Sequence, residues 1–202
     1  VPTTTIHCVR HAQGYHNLKI ANHAIRDPDL TRKGESQCRE LQSSFPYHEK
    51  ITHLVTSPLR RTIYTCLLSF ENTAKENAGK VIALPELQET SDLPCDTGSD
   101  VEKLEQEFSA GPWAGIVDFS LLNEDWHDKS AGTPWEPDSE KLEARARVAR
   151  KWLRELGQKY GKDADIVVVT HGGYLHYFTE DWSGHDKFVG MKTAALGSFT
   201  YD

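Results

Sequence analysis

The chain has 202 residues, 38% hydrophobic and 26% charged, which suits a folded globular protein and not a disordered or fibrous one. Its formal net charge of −7 argues against broad nucleic-acid binding, which needs many basic side chains facing phosphates. One anionic ligand stays open, because a pocket can be locally positive on an acidic protein.

Ile6 to Val9 reads as a short buried strand ending in Arg10-His11, with the loop-like Ala12-Gln13-Gly14 behind it. Leu30-Thr31-Arg32-Lys33-Gly34 opens a helical stretch to about Ser44, with Thr31 as its cap. Ile51 to Thr56 is a second strand, bounded by Ser57-Pro58. A helix follows through about Phe70, since Leu59, Ile63, Cys66 and Leu67 share a face at helical spacing. Lys80 to Leu84 is a third strand. Glu140 to Tyr160 is the clearest helix: Leu142, Ala146, Ala149, Trp152, Leu153 and Leu156 form an apolar stripe, and Gly157 and Gly161 punctuate its end. Ile166 to Val169 is a continuous apolar run, as expected of a strand buried on both faces, and His171-Gly172-Gly173 opens a short helix after it. Ala195 to Tyr201 reads as a last strand.

Alternating strands and helices predict an α/β fold: a three-layer α/β/α sandwich with a mostly parallel central sheet. Ligands of such sheets bind beyond the carboxyl ends of the strands, and Arg10-His11, Ser57 and His171 all fall just after predicted strands. The reading is one domain over residues 1–202. Residues 90–138 are the irregular part, rich in Pro, Gly, Trp and Asp with one weak helix around Val101 to Phe108, and are expected to cover the pocket as an insertion. Trp113, Trp126 and Trp135 in this segment either line a substrate pocket or pack the insertion onto the domain.

The residue types at those strand ends suit phosphate. Arg10 and Arg61 offer planar forks of donors matched to phosphate oxygens. His11 and His171 act as nucleophile, donor or base near neutral pH. Asn17 adds an uncharged donor, and Glu89 exchanges a proton where burial raises its pKa. Arg26, Lys33 and Arg60 read as surface charges. Asp92 and Asp96 compete with Glu89 for the acid role. His16, His23 and His176 receive no role, although His16 lies inside the first motif, where a side chain could approach the phosphate.

Val9-Arg10-His11-Ala12-Gln13-Gly14-Tyr15-His16-Asn17 resembles the signature of the histidine phosphatase (phosphoglycerate mutase-like) superfamily, an Arg-His pair followed six residues later by Asn. Leu30 to Gly34, Thr56-Ser57-Pro58-Leu59-Arg60-Arg61-Thr62, Leu87-Gln88-Glu89 and Val169-Thr170-His171-Gly172 resemble the later blocks, in family order over nearly the whole chain. The resemblance selects Arg61, not Arg60, as the second phosphate arginine. It implies a phosphatase that hydrolyses a small phosphomonoester through a phosphohistidine on His11. Arg10, Asn17, Arg61 and His171 would hold the phosphate, and Glu89 would be the proton donor. The alternatives are a phosphomutase or a non-catalytic phosphate-binding scaffold of the same fold. The chain departs from the family pattern at Ala12, where glycine is common, at Gly14, where serine or threonine is common, and at Thr62, often alanine. It also lacks the Glu-Arg-His-Tyr-Gly stretch of the mutases.

No HExxH pair is present and two arginines would repel a bound cation, so no metal and no cofactor are expected. The N-terminus lacks the basic start and apolar stretch of a signal peptide, and no apolar run is long enough for a spanning helix, so no membrane partner is expected. Cys8, Cys38, Cys66 and Cys95 form no CxxC pair, and free thiols in a reducing compartment imply a cytoplasmic protein. The sequence carries no signal for the oligomeric state or for the identity of the phosphorylated substrate.

Overall fold

A computed structural model describes residues 2–76, 81–182 and 196–201. Six strands form one sheet in the order β4-β3-β2-β5-β1-β6. They are β1 (Thr4–Arg10), β2 (Ile51–Thr56), β3 (Val81–Ala83), β4 (Val117–Asp118), β5 (Ala164–Thr170) and β6 (Leu196–Tyr201). All neighbouring pairs are parallel except β1 with β6, which is antiparallel. Predicted strand residues Lys80 and Ala195 lie outside the described residues.

The helices cover both faces, as the sequence predicts. Alternation along the strands divides the core in two. Val9, Leu54, Val167 and Val169 face α1 (Arg32–Ser44) and α2 (Arg60–Ser69), through Leu41, Ile63, Cys66 and Leu67. Ile6, Cys8, Ile166 and Val168 face α5 (Ser139–Tyr160) and α6 (Gly172–Thr179), through Ala146, Ala149, Leu153, Tyr174 and Phe178. Between them lie two short helices, α3 (Glu71–Glu76) and α4 (Val101–Glu107). All four cysteines are buried free thiols, and among the described residues no helix is long and apolar enough to cross a membrane.

Local chemistry sets the helix ends. Thr31 caps α1 by accepting from the Gly34 N–H at 3.0 Å, and Asp138 caps α5 by accepting from Glu140 and Lys141. Only Gly161, at φ 75°, terminates α5. Gly157 does not punctuate the helix: it lies inside, where a Cβ would sit 2.3 Å from Thr4 Oγ1, so its role is close packing of α5 on β1.

Register explains why the pocket forms. Arg10 pairs with Thr170, and Thr56 pairs with Val169 and Ala83, so β1, β5, β2 and β3 end together. The chain leaving each end enters one crevice. Residues 90–138 carry more structure than one helix. They supply the edge strand β4, and Leu104, Phe108, Phe119 and Trp126 join the same buried cluster as Ile63.

Candidate active site

The first strand ends at Arg10, and the ladder continues one step further, with the His11 N–H donating to Thr170 O at 2.9 Å. The loop behind it is tied down on both sides. Ala12 N–H donates to Thr65 Oγ1 on α2, and Thr31 N–H donates to Gln13 O. His11 is buried, 2% exposed. Its Nδ1 lies 2.7 Å from Ala12 O. A carbonyl only accepts, so Nδ1 carries the proton and Nε2 keeps its lone pair. Burial holds the His11 pKa well below its usual value, and the charge of Arg61 lowers it further. A neutral ring with a free Nε2 is the form a nucleophile needs.

Arg61 sits in the first turn of α2, fully buried. Its Nη2 donates to His171 Nδ1 at 3.0 Å and to Asp96 Oδ1 at 2.8 Å, and its Nη1 donates to Cys95 O at 2.6 Å. Because a guanidinium has no acceptor, His171 Nδ1 must be unprotonated. The ring proton therefore sits on Nε2 and donates to Ser57 Oγ at 2.8 Å. Burial, then Arg61, holds the His171 pKa well below its usual value. The rings of His11 and His171 lie 5.2 Å apart, and those of His11 and His16 lie 5.4 Å apart. Arg10 is within electrostatic reach of the same groups: burial lowers its pKa, Glu89 raises it and Arg61 lowers it. Thus β1, α2 and the loop after β5 bring His11, Arg10, Arg61 and His171 together.

Glu89 follows the short 3-10 turn after β3, at the amino end of α6. Its carboxylate accepts from the N–H groups of Thr90 at 2.8 Å, Tyr174 at 3.0 Å and Gly173 at 3.3 Å. Asn17 is exposed on the turn Tyr15–Asn17; its Oδ1 accepts from the Gly14 N–H at 2.9 Å, which leaves the side-chain amide as the group able to donate. Arg60 belongs to the surface network. It binds Glu107 and Asp29, so adjacent arginines point to opposite destinations.

Three further residues stand at the pocket: Asp96, which the sequence offers as a competitor of Glu89 for the acid role, Ser57, read only as lying at a strand end, and Lys129, which had no role. Asp96 is buried; its two oxygens accept from Arg61 and from Ser91 Oγ. Its pKa is lowered: burial alone would raise it, but Arg61 and Ser91 prevail. Lys129 is 6% exposed and donates to the carbonyls of Glu89 at 2.8 Å and Ser91 at 2.6 Å. Burial, then Arg145, pushes its pKa down to about 7. Ser57 is the acceptor that orients His171. Of the three, Lys129 alone carried no signal in the sequence. The tryptophans lie elsewhere. Trp126 is core, Trp113 packs against the same cluster, and Trp135 lines a separate cavity of about 370 Å³ with Ala144, Arg145 and Val148. Arg26 and Lys33 are exposed, with Arg26 held by Gly98 O. Among the described residues no group of three or more His, Cys, Asp or Glu side chains is arranged around a point that could hold a metal ion.

A buried guanidinium-imidazole pair, Arg61 with His171, the nearby Arg10, and a neutral histidine with one lone pair directed away from its own backbone suit a tetrahedral anion. Comparison with known proteins points the same way. A probable phosphatase of Schizosaccharomyces pombe is 27% identical over 176 residues, covering 86% of this chain and 76% of that protein. Phosphoglycerate mutase-like protein 1 of Arabidopsis thaliana is 29% identical over 209 residues, covering 86% and 70%. Among solved structures, the ecdysone phosphate phosphatase of Bombyx mori aligns with a TM-score of 0.66 at 16% identity, over 96% of this chain and 88% of that one. The phosphoglycerate mutase of Bacillus anthracis aligns with a TM-score of 0.64 at 16% identity, over 100% and 89%. These likenesses give the fold as phosphoglycerate mutase-like. The family model of the histidine phosphatase superfamily, branch 1, matches residues 6–92 and 95–194, and the chain belongs to that family.

Proposed function

We propose that this protein hydrolyses a small phosphomonoester in two steps through a phosphohistidine on His11. The observation that carries the reading is the bond from His11 Nδ1 to Ala12 O, which leaves the Nε2 lone pair of a neutral, buried ring beside Arg61 and His171. Names among relatives and structural neighbours, phosphatases in several cases, support the same reading.

In the first step the Nε2 lone pair attacks phosphorus in line with the ester oxygen. The P–N bond forms, the P–O bond breaks, and Glu89 gives its proton to the leaving alkoxide. In the second step the Glu89 carboxylate takes a proton from water, the oxygen attacks phosphorus, and the P–N electron pair returns to Nε2. Arg10, Arg61, Asn17 and His171 spread the charge of the equatorial oxygens in both steps. Phosphoryl transfer depends on positioning and charge stabilisation, and each well-placed donor contributes roughly 3 kcal/mol of barrier. Arg61 Nη1 donates to Cys95 O and Nη2 donates to Asp96 and His171, while its Nε–H has no partner among the described residues, so phosphate takes the spare N–H groups of Arg61 or exchanges with Asp96.

The test is a covalent trap. Phosphohistidine survives alkali and is lost in acid. The full chain, mixed with labelled phosphomonoester and quenched in base, should hold label that acid removes, and His11→Ala should hold none. Label on His11→Ala, or label stable to acid, would refute the mechanism. Phosphate release over a panel of sugar phosphates, nucleotides, phosphoamino acids and prenyl phosphates, with chelator present, then assigns the substrate. Relatives named mutase-like make isomerisation the competing outcome. A bisphosphate primer that yields an isomer in place of inorganic phosphate would favour it.

A further inference from the structure

The turn Tyr15–Asn17 treats its three side chains differently: Tyr15 and Asn17 are exposed, whereas His16 turns inward and is 7% exposed. Its ring lies 5.4 Å from that of His11, at 48°. His16 Nδ1 has no hydrogen-bond partner and no contact with solvent. Burial of an unpaired imidazole costs stability, and an apolar side chain would fill the same space without that cost. The surroundings are those of the phosphate pocket: Arg61 from α2, Arg10 from β1, Asp96 from the covering segment and His23 from the next turn. Burial pushes the His16 pKa down to about 3; Arg61, His23 and Arg10 add to the shift and Asp96 opposes it.

Gly14 gives the second observation. A Cβ there would stand 2.8 Å from both Cε1 and Nδ1 of His16, so the imidazole lies directly against the glycine. Position 14 is also where the chain departs from the family motif, which commonly has serine or threonine. The missing hydroxyl and the inward histidine are therefore one exchange. The ring of His16 occupies the space that a side chain at 14 would need.

We propose that His16 is a third imidazole of the phosphoryl site, donating a hydrogen bond from Nε2 to an oxygen of the bound phosphate. The assignment of the proton follows from the geometry. Nδ1 has no acceptor, and an orphaned buried N–H is rarer than an orphaned acceptor, so the neutral ring carries its proton on Nε2. The inference rests on the phosphoryl site described above. It assigns to His16 the donor that a hydroxyl at 14 would otherwise supply.

The test is calorimetric binding of inorganic phosphate to the full chain, with melting temperature followed in parallel. His16→Ala should weaken binding by about tenfold to a hundredfold, the range for a hydrogen bond to a charged group. His16→Gln, whose side-chain amide reaches about as far as Nε2, should restore most of the affinity. Gly14→Ala should weaken phosphate binding much more in the presence of His16 than in the His16→Ala background, where only the contact with Asp29 O at 3.3 Å remains. Equal binding by the native chain and His16→Ala overturns the proposal, as does a His16→Gln protein no better than His16→Ala. A native chain that binds no phosphate at all sinks the site itself, a result distinct from these.

Discussion

Around one pocket, the groups that come from strand ends and the groups that come from residues 90–138 are held by different forces. His11 and Ser57 continue the sheet: their N–H groups donate to Thr170 O and Val169 O, both at 2.9 Å. Their positions follow from register, and no single side chain can be removed to displace them. Residues 90–138 join the sheet only at β4; beside the pocket they are fastened by side chains. Lys129 grips Glu89 O and Ser91 O, Arg61 grips Cys95 O and Asp96, and Gln88 Nε2 donates to Trp126 O. The charges differ too. The end of β1 brings Arg10 and the first turn of α2 brings Arg61, whereas residues 90–138 bring a carboxylate, Asp96, directly onto one of them. In the proposed reading the cradle attracts an anion, and Asp96 is an internal competitor for the same donor, Arg61.

Glu89 lies on the seam, with its carboxylate on the amides of α6 and its carbonyl on Lys129 and Arg145, and its replacement is the largest effect expected here. Glu89→Gln should lower kcat by about 10²- to 10⁴-fold for alkyl phosphates, the range for general acid catalysis. The loss should be much smaller for p-nitrophenyl phosphate, whose leaving group needs no proton. An equal loss on both substrates would remove Glu89 from the acid role and leave Asp96 as the nearest carboxylate. Asp96→Asn should act with the opposite sign. Relieving Arg61 of its anionic partner should tighten inorganic phosphate by about threefold to tenfold, read as a competitive inhibition constant. Weaker binding in Asp96→Asn would mean that Asp96 orients Arg61, and the distinction between cradle and competing cover would collapse.

The same division governs what could be read from the chain. Apolar patterning located β1, β2, β5, α2 and α5 to within a few residues, the Thr31 cap located α1, and the strand ends then collected Arg10, His11, Ser57 and His171. The choice of Arg61 over Arg60 came from the resemblance; the structure sends Arg60 to Glu107 and Asp29 and Arg61 to His171. Strand β4, two residues long in an irregular segment, has too few residues for alternation to register. Lys129 and the pairing of Asp96 with Arg61 were illegible for a different reason. Each depends on a partner more than 30 residues away, and an isolated Lys or Asp in an acidic, irregular stretch looks like a solvated charge. His16 stood in plain view inside the first motif, but its direction depends on the turn and on Gly14.

The smallest effect expected is thermodynamic and tests the cradle alone. His11, His171 and His16 are buried and neutral, with pKa values held below the ordinary value near 6.5, the last at about 3. Unfolded, each takes a proton near pH 6.5; folded, each refuses it. Between those values the unfolded chain binds more protons, so stability should fall as pH drops below about 6.5, with a slope of about 1.4 kcal/mol per pH unit for each histidine. Asp27 and Glu86, raised by burial, carry the opposite sign at lower pH, which makes the difference between two proteins cleaner than either curve. Urea unfolding at pH 7, 6 and 5 should show His16→Gln losing less stability than the native chain, with one proton fewer taken up on unfolding. Parallel curves for the two proteins would mean that His16 is already protonated in the fold, and the strand-end pocket would then be more open to water than its burial implies.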